Sequence, residues 1–329
     1  MNLICLLLAV TTAADSQPKK PDYSPPAGAP YTAVDVTVPT GRGYTLAGTL
    51  TLPKGASRAH PVPAVVTITG SGPQDRDEMS TQLPSYRPFR QLADSLGRRG
   101  IAVLRMDDRG VGASGGKFKG TTDEGFRDDV RSGLALLRTR PEIDTTRVGL
   151  VGHSEGALIA PMVALQEPAI RAVVLLAGGS RSLRIILEYQ LSNQITHNAK
   201  LTATQKDSAL HLLPAKIDSI AASDPWWSFI LSHDFTTEQK QLAKPAVLIL
   251  TGANDQQATA DQNPEIAANV RSSGNRDVTA RVIPGLNHLF VRDSDGFPGG
   301  YAKLPTPLLV DPGVIGIVAD WLVTKLGPR

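Results

Sequence analysis

The chain has 329 residues, 41% hydrophobic and 20% charged, a composition of an ordinary globular protein long enough to bury a sizeable core as two domains or as one large α/β domain. It has one cysteine, Cys5, and six histidines that nowhere pair at the spacing of a helical metal site, which excludes intramolecular disulfides, cysteine-ligated metals, iron–sulfur clusters and a thiol nucleophile in the body of the protein. Lys and Arg number 34 against 31 acidic residues, a net charge of +3, and they are scattered rather than striped with aromatics, so nucleic acid is not an expected partner.

In chain order, the apolar run Leu3–Val10 followed by Thr-Thr-Ala-Ala resembles the core and cleavage site of a signal peptide, over residues 1–14. It is too short for a stable membrane span, which needs roughly 20 apolar residues. No basic residue precedes it; a truncated start site would explain that, and a buried N-terminal strand is the alternative. The run therefore predicts a periplasmic or secreted protein. Residues 15–30 contain five prolines and predict an extended, poorly ordered linker. Next, Thr32–Val38 and Tyr44–Leu52 alternate in hydrophobicity around Gly41-Arg42-Gly43, the pattern of an antiparallel hairpin.

Short apolar runs follow at Ala64–Thr69, Ile101–Met106, Val148–Val151, Ala172–Ala177 and Ala246–Thr251, with a mixed strand at Asp277–Ile283. Runs of this kind suit parallel strands buried on both faces. Helical patterns lie between them at Pro88–Arg99, Glu155–Gln166, Asp261–Ser273 and Gly313–Leu326. Another begins at Thr121-Thr122-Asp123-Glu124, which resembles a capping box, and places Phe126, Val130, Leu134 and Leu137 on one face. The alternation predicts a mostly parallel, doubly wound sheet. Residues 182–243 break it with helix-like sequence and no strand, so an inserted helical cap is expected within a domain spanning residues 31–329.

The chemistry concentrates at Gly152-His153-Ser154-Glu155-Gly156, a G-x-S-x-G motif between a strand and a helix. That context makes Ser154 the candidate nucleophile on a tight, strained turn. A serine needs a base, and the base an orienting carboxylate, each in a loop after a later strand. Asp255 follows Ala246–Thr251, with Asp261 as second choice, and His288 follows Asp277–Ile283. His153 adjoins the nucleophile but should point to the opposite side. The loop Thr69–Glu78 is rich in small residues, and the backbone N–H of Ser71, with Gly72 behind it, is the expected oxyanion donor beside that of Glu155.

Together, Gly70-Ser71-Gly72-Pro73-Gln74-Asp75-Arg76-Asp77-Glu78, Asp107-Asp108-Arg109-Gly110-Val111-Gly112, the Ser154 motif and Leu286-Asn287-His288-Leu289-Phe290 resemble a group of bacterial α/β-hydrolase fold esterases, from about Tyr31 to Trp321. The resemblance implies the α/β-hydrolase fold, the triad Ser154, Asp255 and His288, and a cap over the site. Ala157 stands where such proteins commonly carry a second glycine. The expected reaction is hydrolysis of a small-molecule carboxylic ester with a short acyl chain through an acyl-enzyme, with no cofactor and no metal. Amide or thioester cleavage on the same triad is the alternative, and a silent binding protein the reading from another class. The Asp107–Gly112 stretch is expected to be structural; Asp75 and Arg76 are expected in an ion pair that pins the oxyanion loop, with contact to substrate as the alternative. Trp226 and Trp227 either wall the acyl pocket or form the core of the cap. Nothing in the motifs specifies an oligomeric state.

Overall fold

The computed structural model describes residues 21–327. The signal-peptide expectation at residues 1–14 and Cys5 lie outside the described residues. An eight-stranded sheet runs in the order β1-β2-β4-β3-β5-β6-β7-β8. Strands β1 (Tyr31–Pro39) and β2 (Thr45–Pro53) form an antiparallel hairpin, and β2 also runs antiparallel to β4 (Ala102–Met106). The remaining pairings, among β3 (Val62–Ile68), β4, β5 (Ile143–His153), β6 (Ile170–Leu176), β7 (Ala246–Gly252) and β8 (Val278–Ile283), are parallel. The hairpin turn relies on left-handed backbone at Gly41 and Gly43, which glycine adopts without steric strain.

Successive strand residues go to opposite faces, so the sheet carries two cores. On one face Ala64, Val66 and Leu150 pack against α2 (Asp123–Arg138), α3 (Glu155–Gln166) and α9 (Gln262–Ser272). On the other, Val65, Val103 and Val151 pack against α1 (Pro88–Arg98) and α10 (Pro312–Leu326). Side chains buried to this extent contribute about 1.5–3 kcal/mol each before entropy is counted. The four apolar positions read on the α2 face point inward: Val130, Leu134 and Leu137 are buried and Phe126 packs against them.

Two local expectations are corrected. The N-cap of α2 is Thr122, and no side chain caps it; the Thr121 hydroxyl instead donates to the Lys117 carbonyl, so the expected capping box does not form. The described part of the Pro-rich segment, residues 21–30, has no helix or strand yet is fastened down. The Tyr23 hydroxyl donates to Asp75 at 3.0 Å, its ring lies 4.2 Å from the Arg76 guanidinium, and Ala29 is buried.

Between β6 and β7 run five helices, α4 (Leu183–Thr196), α5 (Ala203–His211), α6 (Leu213–Ala221), α7 (Pro225–Ser232) and α8 (Thr236–Gln239). Of these, α4, α6 and α7 share a third apolar cluster, in which Leu187, Ile217, Ile230 and the nearby Phe235 meet Leu158 and Met162 of α3. This helical layer is therefore seated directly on the helix that follows Ser154.

Candidate active site

Ser154 sits between β5 and α3 with φ 54° and ψ −118°, a left-handed conformation that a non-glycine residue holds only where the surroundings enforce it. The neighbouring glycines are required by space. A Cβ on Gly152 would stand 2.0 Å from the Gly156 carbonyl oxygen, and one on Gly156 would stand 2.2 Å from that of Ile68. The Ser154 N–H donates to the Leu176 carbonyl at 2.9 Å, which locks the turn to β6.

The three residues chosen from the sequence come together. His288 Nε2 lies 3.0 Å from the Ser154 hydroxyl oxygen, and its Nδ1 lies 2.8 Å from Asp255 Oδ2. The second Asp255 oxygen accepts the N–H groups of Gln257 and Ala258. All of Asp255 and nearly all of His288 are buried. Asp261 does not join them; it pairs with Arg181 at the surface. The His288 loop is held by Asn287, whose side-chain oxygen accepts from Leu289 and Val291 and whose amide donates to Asp293.

The loop from Thr69 to Glu78 lies against the nucleophile: a Cβ on Gly70 would be 3.2 Å from that of Ser154. Asp108 holds its start by accepting the Thr69 hydroxyl at 2.8 Å and the Gln74 N–H at 3.0 Å. Arg76 holds its end through a buried two-point pair with Asp107, at 2.9 and 2.8 Å. The Asp107–Gly112 stretch is thus structural, and the ion pair that pins the loop is Arg76–Asp107. Among the described residues the Ser71 N–H has no hydrogen-bond acceptor. Glu155 opens α3, so its N–H has no acceptor within the helix. Both backbone donors named from the sequence are consequently available.

Trp226 reaches this centre by its indole N–H, which donates to Glu155 Oε1 at 2.8 Å. Trp227 does not reach it by any hydrogen bond; it meets Trp226 edge-on, with ring centres 4.5 Å apart. The Ser71 and Asp123 side chains lie beside Glu155, and neither Asp123 carboxyl oxygen has a hydrogen-bond partner among the described residues. Asp123 is fully buried, and burial pushes its carboxyl well above the usual range, with the neighbouring Glu155 adding to the effect. Burial likewise raises Glu155, against the opposing hydrogen bonds from Ser71 and Trp226. From the same helical layer, Tyr189 and Gln190 of α4 bond to Gln256 and Gln257, the two residues after Asp255.

Two contributors were missed in the sequence. Glu78 accepts the Gly70 N–H at 3.0 Å and lies 2.6 Å from His153 Nδ1. His153 does point away from the nucleophile, yet its Nε2 lies 3.0 Å from the His288 carbonyl oxygen. The other is Asp123, which read as a helix-start acid. The acidic residue ending the Asp75-Arg76-Asp77-Glu78 run was the one available signal for Glu78. Among the described residues no three His, Cys, Asp or Glu side chains converge to hold a metal ion, and no helix is long and apolar enough to cross a membrane.

A parallel sheet with a strained serine at the turn after β5 and acid and histidine in the loops after β7 and β8 defines a hydrolase of the α/β-hydrolase fold. A family model described as serine aminopeptidase, S33, matches residues 85–295, more than half of the chain, and the chain belongs to that family. Over 318 residues it is 29% identical to esterase EstD of Thermotoga maritima, covering 94% of this chain and 72% of that protein. Among solved structures, an esterase of Pyrococcus furiosus superposes with a TM-score of 0.57 at 19% identity over 90% of this chain and 94% of that one. The acylaminoacyl peptidase of Pyrococcus horikoshii superposes with a TM-score of 0.60 at 14% identity, over 91% of this chain and 42% of that one. Both structures share the fold.

Proposed function

We propose that the protein is a serine carboxylesterase that hydrolyses short-acyl esters through an acyl-enzyme, with Ser154 as nucleophile, His288 as base and Asp255 as its orienting carboxylate. The observation that carries this reading is the unbroken line of hydrogen bonds from Asp255 Oδ2 through His288 to the strained Ser154 hydroxyl, at 2.8 and 3.0 Å. His288 takes the Ser154 proton as the hydroxyl oxygen attacks the ester carbonyl. Asp255 fixes the ring with Nδ1 protonated and stabilises the charge that forms. The N–H groups of Ser71 and Glu155 receive the oxyanion, an interaction worth about 3–4 kcal/mol per donor in such sites. His288 then protonates the departing alcohol, and a water molecule repeats the sequence to release the acid.

Similarity to esterase EstD supports ester chemistry. The family description favours a second reading, removal of amino-terminal residues from peptides by the same triad. A panel of p-nitrophenyl esters of increasing acyl length, set against aminoacyl p-nitroanilides, separates them. Preferential turnover of short acyl esters is expected; turnover confined to the anilides would replace the esterase reading. In this reading α4–α8 form a cap, Trp226 borders the acyl site, and the Leu3–Val10 run directs export. N-terminal sequencing of the mature protein tests the last point: a start near Asp15 is expected, and an intact Met1 in an exporting host would contradict it.

A further inference from the structure

We propose that His153 is a positioning residue for the Ser154 reaction, carrying both ring protons and using them to join the loop over the nucleophile to the loop that bears His288. The two contacts of its ring set the protonation. Nε2 faces the His288 carbonyl oxygen at 3.0 Å, and a carbonyl oxygen can only accept, so Nε2 bears a proton. Nδ1 faces Glu78 Oε1 at 2.6 Å, and that oxygen already accepts the Gly70 N–H. An ionised carboxylate oxygen only accepts, so Oε1 of ionised Glu78 takes both the Gly70 N–H and a proton-bearing Nδ1, which places the second ring proton on Nδ1. A doubly protonated imidazole beside a carboxylate is a charge-assisted pair, shorter and stronger than a neutral one.

The chain of contacts runs from Gly70 through Glu78 and His153 to the backbone of His288, behind the nucleophile. Gly70 leaves room for Ser154, whose Cβ would stand 3.2 Å from one added at Gly70, and it immediately precedes the oxyanion donor Ser71. Both partners are almost fully buried, at 4% exposure for His153 and 1% for Glu78. Glu78 holds φ 68°, a left-handed conformation that brings its carboxylate under the loop. The groups facing the ring are Glu78 and Tyr86 from the segment leading into α1, and His288, Phe290 and Asp255 from the loops after β8 and β7. Burial pulls His153 down, but Glu78 and the His288 carbonyl outweigh it and raise it above the ordinary histidine value. The charged ring therefore persists upward in pH and is lost as pH rises through that raised value.

The proton inventory is read by ¹H–¹⁵N correlation on histidine-labelled wild-type protein at pH 7, with His153 assigned through its contacts to Tyr86 and Phe290. Two protonated ring nitrogens are expected, falling to one in Glu78→Gln. A neutral, singly protonated His153 in the wild type overturns the proposal. Only the kinetic readout rests on the esterase reading. In His153→Gln and in Glu78→Gln, kcat should fall about 10- to 100-fold with KM within about threefold, the signature of a displaced catalytic geometry. If both variants fold, by circular dichroism, and keep kcat within about twofold, the positioning role is refuted. Absence of ester turnover in the wild type would sink the esterase reading alone, because the nitrogen correlation still decides the state of His153.

Discussion

Replacing Gly156 by alanine tests the packing that holds the nucleophile against the oxyanion loop. The added Cβ would lie 2.2 Å from the Ile68 carbonyl oxygen and 2.6 Å from that of Thr69, both backbone atoms. These separations are about 1 Å or more inside van der Waals contact, so no side-chain rotation relieves them. Helix α3 must move away from the end of β3, and β3 leads directly into Gly70 and Ser71. Overpacking of this kind costs about 1–3 kcal/mol. A shift of about 1 Å between nucleophile and oxyanion donors costs on the order of 100-fold in rate. Gly316→Ala in α10 is the internal control, since nothing lies within 4 Å of the added methyl. In a helix interior that change stabilises by about 0.5–1 kcal/mol. Urea melts and ester turnover should thus separate the two variants in opposite directions. A Gly156→Ala protein with wild-type stability and turnover would refute the packing account of the elbow.

Removing Arg76 leaves Asp107 buried without its two-point partner, so Arg76→Met should lower unfolding free energy in urea by about 3–5 kcal/mol. Also replacing Asp107 by asparagine, which removes the charge but keeps an acceptor for the Arg76 N–H, should recover part of that loss; equal loss in the double variant would show the unpaired charge was not the cause. Asp123 and Glu155 are both raised by burial, so their contribution to stability is present at low pH and is lost as pH rises through the raised values. Asp123→Asn should flatten that decline in a pH series of melting temperatures, and an unchanged decline would contradict it. Trp226→Phe strips Glu155 of its indole donor and should destabilise by about 1–3 kcal/mol while shifting KM most for longer acyl chains. Uniform KM values across the acyl series would remove Trp226 from the acyl site.

Most of the sheet was legible because its central strands are apolar runs and its hairpin strands alternate, whereas the polar start of β5, Ile143–Arg147, carries neither signal; the buried face of α2 could be read from Phe126, Val130, Leu134 and Leu137. Ser154, Asp255 and His288 were legible for a different reason: parallel strands bring the loops at their C-terminal ends to one edge, so position after a strand predicts proximity. What escaped depends on side chains meeting across the fold. Nothing local to Glu78 says that it will face His153, 75 positions later. Asp123 carries the same local signature as any helix-start acid, and the groups it ends up beside, Glu155 and Trp226, come from other elements. The proline count could not show what holds residues 21–30, where Tyr23 stacks on Arg76 and bonds to Asp75 from the far side of the chain.

The central claim is that Ser154 is the nucleophile activated by His288. Intact-mass and peptide mapping after a fluorophosphonate probe tests it most directly. One adduct per chain on Ser154 is predicted, together with loss of p-nitrophenyl acetate turnover, and Ser154→Ala should show neither label nor activity while keeping its far-ultraviolet spectrum. Labelling of another residue, or undiminished turnover by Ser154→Ala, would contradict the account.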